Sequence, residues 1–268
     1  MAKRFYGKGI PGLAPSELKG TLIAIEGGDG AGRSTQVTML KEWLERRGYP
    51  VIEFGLKRSA LVGKELADAM QGNSLGPLTF SLFYATDFAD QLETTVFTAL
   101  RAGFVVIADR YIFTPMARDI VRGAHRDWCK EVYGFAPVPD IVIYLKTRSK
   151  LQAERIFEKN GVLGYWESGM DIQRSGDMYQ CFVRYQDWLR KEFEWMADEY
   201  RFDVVDGNRD PRLIHNEIQE RIAHLLEASP PMDLPKIEKV KKRLASKNIK
   251  PVNTNLRIVK RPTRRVIG

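Results

Sequence analysis

The residues best placed to do chemistry form the run GGDGAGRST, residues 27–35. A phosphate-binding loop asks for Gly, four residues, Gly, Lys and then Ser or Thr. Gly27, Gly32 and Ser34 satisfy that spacing, and Arg33 stands at the Lys position. Such a loop turns backbone N–H groups toward one anion, helped by the positive end of the helix behind it. Gly27, Gly28, Asp29, Gly30, Ala31, Gly32, Arg33, Ser34 and Thr35 are therefore expected to cradle the phosphates of a nucleotide cofactor. Ser34 is expected to hold Mg²⁺, and Thr35 to add a hydroxyl. Arg33 keeps the positive charge, but its rigid fork is not equivalent to an ammonium that follows a transferring phosphoryl group.

The second group is the tripeptide DRY, 109–111, at the end of the apolar run FVVIADR. Asp109 is a carboxylate able to act through Mg²⁺ or on an acceptor phosphate, and Arg110 is able to bind a second phosphate facing the first. Tyr111 joins the substrate-binding set. Arg33, Asp109 and Arg110 are the expected catalytic residues, and Ser34 and Asp109 the expected metal ligands.

These groups need elements to hold them. Apolar runs at 21–26, 51–54, 104–110, 140–146 and 202–206 read as strands. Helical patterns lie between or after them, from Ser34 to about Arg47, over most of 77–101, at 149–158, at 175–199 and at 211–227. Strands separated by helices imply an α/β architecture, a five-stranded parallel sheet with helices on both faces. Ligands of such sheets bind beyond the carboxyl ends of the strands, where the Gly-rich loop, DRY and the segment after Asp206 all lie. The expected organisation is an irregular lead-in (1–20), an α/β domain (21–228) with a lid at about 159–174, and a flexible basic tail (229–268).

With 44% hydrophobic and 28% charged residues the composition is that of a globular protein. No apolar run is long enough to span a membrane, and no secretory signal is legible. Cys129 and Cys181 suggest neither a disulfide framework nor a metal cluster, so the cytoplasm is the expected compartment. The net charge of +8 belongs to the tail: residues 229–268 carry 12 Lys/Arg against 2 Asp/Glu, and the other 228 residues carry 30 against 32. Such an arm suits nucleic acid or an acidic partner. It suits a solvated extension equally, since it has no aromatic residue to stack on bases.

Over residues 20–227 the chain resembles the thymidylate kinase family. The resemblance rests on EGGDGAGRST, FGLKRSALVGKEL, SLFYATDF, DRYIFT, DWCK, PDIVIYL and VVDGNRDPRLIHNEI, in that order. It implies a P-loop NTPase fold, transfer of the γ-phosphoryl group of ATP to dTMP with Mg²⁺, and a homodimer, or a heterodimer with a related chain. By position, Arg58 and Arg110 would hold the acceptor monophosphate, Asp29 would reach the acceptor 3′-hydroxyl, and Phe83 would stack on its base. Asn208 and Arg209 would lie against the donor adenine.

Three departures accompany the resemblance. Arg33 replaces the Lys. Asp87 stands where an Arg commonly faces the thymine carbonyl, with Arg118 where a second base-facing group is expected, and these two are expected to pair within the substrate pocket. The loop and the lid lack the family's additional Arg; Lys159 is the lid's own cation, flanked by Arg155 and Arg174. Two functions stay open at this point: a nucleoside monophosphate kinase of thymidylate-kinase type, or a catalytically weak or inactive nucleotide-binding subunit regulating a partner. Ranked third is a nucleic-acid-associated protein using its basic tail.

Overall fold

The apolar run at 21–26 becomes β1 (Thr21–Glu26), fully buried along its length. The computed structural model describes residues 3–72, 75–173 and 175–226. The tail expected at 229–268, with the partners expected of it, and Arg174 lie outside these residues. After β1 come α1 (Arg33–Arg46), β2 (Val51–Gly55), α2 (Gly63–Gly72), α3 (Pro77–Gln91) and α4 (Phe97–Arg101), the last two joined by a π-helical turn at Leu92–Val96. The second half holds β3 (Val105–Asp109), α5 (Phe113–Val121), α6 (Arg126–Val132), β4 (Ile141–Lys146), α7 (Ser149–Asn160), α8 (Met178–Tyr200), β5 (Asp203–Asp206) and α9 (Pro211–Leu226).

The five strands form one sheet in the order β2-β3-β1-β4-β5, and every pairing is parallel. Side chains alternate across it as strand geometry requires. Ile23 and Ile25 of β1, with Val105 and Ile107 of β3, face a layer built from α1 and α9. Leu22, Ala24, Val106 and Ala108 face the larger core of α3, α4, α5 and α8. This is the P-loop NTPase α/β fold, with helices on both faces of the sheet.

The helices α2, α5 and α6 are additions to the elements read from the sequence. In α5 the apolar positions Phe113, Met116 and Ala117 are buried at helical spacing, but Pro115 sits in its first turn and masks the signal. The lead-in packs along the domain: Phe5 meets Phe97 edge-on at 6.5 Å, and Tyr6 meets Phe113 and Tyr200 at 5.8 and 5.4 Å. No described helix is long and apolar enough to cross a membrane.

Strand register sets the site. Ile25 of β1 and Gly55 of β2 both pair with Asp109 of β3. Three chain segments therefore leave the sheet side by side: the Gly-rich loop, the loop carrying Arg58, and Arg110.

Candidate active site

The Gly-rich loop connects β1 to α1 through backbone angles that favour glycine: φ is +77° at Gly30 and +95° at Gly32. Gly32 caps α1 without any side-chain bond, so the first N–H groups of the helix stay available to an anion. Close packing also demands glycine. A Cβ at Gly28 would lie 2.6 Å from the Gln152 and Gln186 side chains, and one at Gly30 only 2.4 Å from the Gln152 carbonyl oxygen. The loop, from Asp29 to Thr35, walls a cavity of about 540 Å³, closed by Arg155 and Lys159 from α7 and by Pro211 and Ile214 from α9.

Arg33 folds back over this loop. Its Nη1 donates to the carbonyls of Gly27 and Gly28, and its Nε lies 3.4 Å from Asp109 Oδ1. Burial, with Arg110 nearby, lowers its pKa to about 10 against the opposing pull of Asp109, Asp29 and Glu26. Ser34 Oγ donates to Asp109 Oδ2 at 3.1 Å. A hydroxyl and a carboxylate meeting beside the phosphate cradle are hard oxygen donors of the kind Mg²⁺ takes. Among the described residues no cluster of three His, Cys, Asp or Glu competes as a metal site. Mg²⁺ is commonly held by one or two protein oxygens, with phosphates and water completing the shell. The residues present fit it.

Beyond Asp109 lies a second cavity of about 290 Å³, lined by Arg58, Arg110 and Arg118, by Lys57, and by Leu56, Met70, Trp166 and Glu167. Arg110 adopts φ +71°, a conformation that costs a non-glycine residue about 1–2 kcal/mol and recurs at functional sites. It is held by its N–H to Ile25 O at 3.1 Å and by an ion pair with Asp29. Beneath it, the wholly buried Glu26 accepts from Tyr111 N at 2.8 Å and Thr114 Oγ1 at 2.6 Å. Burial raises the Glu26 pKa to about 7, against those hydrogen bonds and the nearby Arg33 and Arg110. Burial would also raise the Asp29 pKa, yet Arg110, Arg118 and Arg33 together hold this carboxyl well below the usual range.

The loop residues, Arg33, Ser34, Asp109, Arg110, Arg58 and Arg118 thus converge on the two adjoining cavities. Other expectations need correction. Asp87 does not pair with Arg118: it is fully buried under the 57–59 loop, accepting from Lys57 N at 2.7 Å and Ser59 N at 2.9 Å. Arg118 turns instead to Asp29, at 3.1 Å. Phe83 lies against the core and is not among the cavity walls. The aromatic residues at the second cavity are Tyr165 and Trp166, the latter stacked on Phe80 at 5.0 Å and donating to Met70 O at 2.7 Å. Tyr111 is fully buried, its hydroxyl donating to Pro137 O at 2.5 Å, so it shapes the DRY turn from beneath and does not line either cavity. Asn208 and Arg209 bond to Arg148, Asp206 and Glu217, and Pro211 and Ile214 wall the first cavity from this end of the sheet.

Sequence reasoning missed Glu26, Lys57, Trp166 and Glu167 as parts of this site. Glu26 directly precedes the glycine loop, and Trp166 and Glu167 fall within the expected lid. Arg155, noted only as flanking the lid, directs Nη1 to Gly207 O at 3.1 Å and Ala31 O at 3.4 Å.

A family model described as thymidylate kinase matches residues 25–218. A probable thymidylate kinase 2 of Saccharolobus solfataricus is 35% identical over 214 residues, covering 79% of this chain and 100% of the relative. Probable thymidylate kinases of Thermococcus kodakarensis and Pyrococcus abyssi are 29% and 30% identical, covering 76% and 78% of this chain and 98% of each relative. Two cavities that share Arg110 and Glu167 in their walls, on this fold and with these relatives, place the chain in the thymidylate kinase family: it is a nucleoside monophosphate kinase that works with ATP and Mg²⁺.

Proposed function

We propose that the acceptor is dTMP and that the chain transfers to it the γ-phosphoryl group of ATP. One observation carries the phosphoryl-transfer geometry: Asp109 stands between Arg33 and Ser34 of the donor loop and Arg58 of the acceptor side, 3.4, 3.1 and 3.7 Å away respectively. Catalysis of this transfer is mainly positioning and charge neutralisation, and cations stand on both sides of the junction. The choice of dTMP follows the names of the relatives.

In this reading the loop N–H groups hold the donor phosphates. Ser34 and Asp109 hold Mg²⁺, which when bound neutralises charge on the phosphate oxygens. Arg58 and Arg110 hold the acceptor phosphate, and Trp166 with Met70 forms the apolar end where its base lies. Arg33 remains beside Asp109 as the cation nearest the junction. The reading includes a homodimer, supported by Leu78 and Leu82, which stand exposed one helical turn apart on α3; sedimentation analysis tests that part.

The test of the reaction is a coupled ADP-release assay with Mg-ATP against a panel of nucleoside and deoxynucleoside monophosphates. Turnover highest with dTMP supports the proposal. Turnover confined to another acceptor, or none at all, overturns it.

A further inference from the structure

We propose that Lys57 is the specificity residue for the acceptor base, donating from Nζ to a ring carbonyl, and that Asp87 is the positioning residue that aims it. This deepens the dTMP reading and rests on it.

The backbone at Lys57 is held in an unusual conformation. Lys57 has φ +63°, in the left-handed region that side-chain-bearing residues avoid. Two charge-assisted bonds hold it there, since the Asp87 carboxylate accepts Lys57 N at 2.7 Å and Ser59 N at 2.9 Å. Gln91 fixes that carboxylate from the next turn of α3 at 3.0 Å and also donates to Gly55 O at 2.8 Å. The loop leaving β2 is thus bolted to α3 through a buried acid. The carboxylate that looked like a base-reading group is spent on the backbone, and the residue of this loop that lines the cavity beside Arg58 is a lysine.

The surroundings of Lys57 define the partner it suits. It lines the acceptor cavity and also the shallower space continuing from it, together with Met70, Tyr165 and Trp166. Asp109 and Arg110 line the first and not the second, so Lys57 stands between the phosphate end and the apolar end. Arg58 and Arg110 already supply cations for a monophosphate. Lys57 makes no ion pair among the described residues; desolvation, then Arg118 and Arg110, lower its pKa against the opposing pull of Asp29 and Glu167. Lys57 is an exposed residue that walls a space shared with Met70, Tyr165 and Trp166, and its three N–H donors suit an oxygen acceptor on a ligand lying there. A pyrimidine with a carbonyl at that edge supplies one, whereas an exocyclic amino group sets donor against donor, and such mismatches discriminate strongly.

The experiment is isothermal titration of the full chain with dTMP and with dCMP, for the natural protein, Lys57→Met, Lys57→Arg and Asp87→Asn, with circular dichroism confirming that each variant is folded. Wild-type turnover of dTMP is measured separately. The expected result is dTMP binding weakened 10–100-fold in Lys57→Met with dCMP binding changed less than threefold, recovery in Lys57→Arg, and a reduced dTMP/dCMP ratio in Asp87→Asn. Equal effects on both nucleotides, or no effect of Lys57→Met on dTMP, overturn the assignment even if dTMP is turned over. Selective loss of dTMP binding in a protein whose wild type fails to phosphorylate dTMP leaves Lys57 standing and removes the proposed reaction.

Discussion

Arg118 donates from Nη2 to both carboxylate oxygens of Asp29, at 3.1 and 3.4 Å. The same carboxylate pairs with Arg110, so one nearly inaccessible acid sets the position of two of the second cavity's cations. Removing one partner of a buried ion pair costs about 3–5 kcal/mol, because the other charge is left uncompensated. Asp29→Asn is therefore expected to lower the unfolding free energy by about 3 kcal/mol in urea titrations. Adding Arg118→Met should recover part of that loss, since one stranded charge goes with it. Strict additivity of the two changes would show that the pair is not coupled.

Glu26 makes stability depend on pH in the direction opposite to a salt-bridged acid. Its folded pKa is raised to about 7 from a reference of 4.5. Between those values the folded chain binds a proton that the unfolded chain has released, so stability falls as pH rises through this window. Glu26→Gln keeps acceptors for Tyr111 N and Thr114 N and carries no charge. Thermal melts from pH 4.5 to 7.5 should show the wild type losing on the order of 2–3 kcal/mol relative to Glu26→Gln. Parallel melting curves would place Glu26 in the ionised state throughout.

Gly30 tolerates no side chain. Its φ of +77° disfavours any L-residue, and a Cβ would sit 2.4 Å from the carbonyl oxygen of Gln152, which cannot move without shifting α7. Gly30→Ala is expected to cost at least about 2 kcal/mol and to abolish the rise in melting temperature that Mg-ATP gives the wild type. Retention of that ATP-induced rise would show that the loop re-forms around the methyl group.

How much of this was readable from the sequence divides along a physical line. The five strands and the phosphate loop were legible because their signals are local: apolar runs of strand length, and glycines at a spacing only a tight anion-binding turn requires. The convergence of the phosphate loop with Asp109 and Arg110 followed from their places at strand ends, whereas Arg58 was named only through the family resemblance. Asp87 was misread because the groups it satisfies, the N–H groups of Lys57 and Ser59, lie 30 and 28 residues away in sequence. A buried carboxylate bonded to backbone leaves no pattern of its own. Phe83 and Trp166 were exchanged for a similar reason, since which ring faces a cavity depends on how the 161–173 segment folds onto α3. That segment has no periodicity to read.

Arg33 gives the sharpest test of whether the departure from Lys matters. The guanidinium is anchored at three points, on the Gly27 and Gly28 carbonyls and near Asp109, and a planar fork so held follows a moving phosphoryl group less well than an ammonium on a flexible stem. Lys at this position keeps the charge and frees those carbonyls, so Arg33→Lys is expected to raise kcat about tenfold or more while changing the KM for ATP little. Arg33→Met removes the cation at the junction, and loss of one such transition-state contact costs about 10²–10³ in kcat. The check is steady-state kinetics of the three proteins at saturating acceptor. A Lys variant slower than the wild type would show that the fork is adapted to the reaction, its fixed geometry serving the transfer better than a mobile charge.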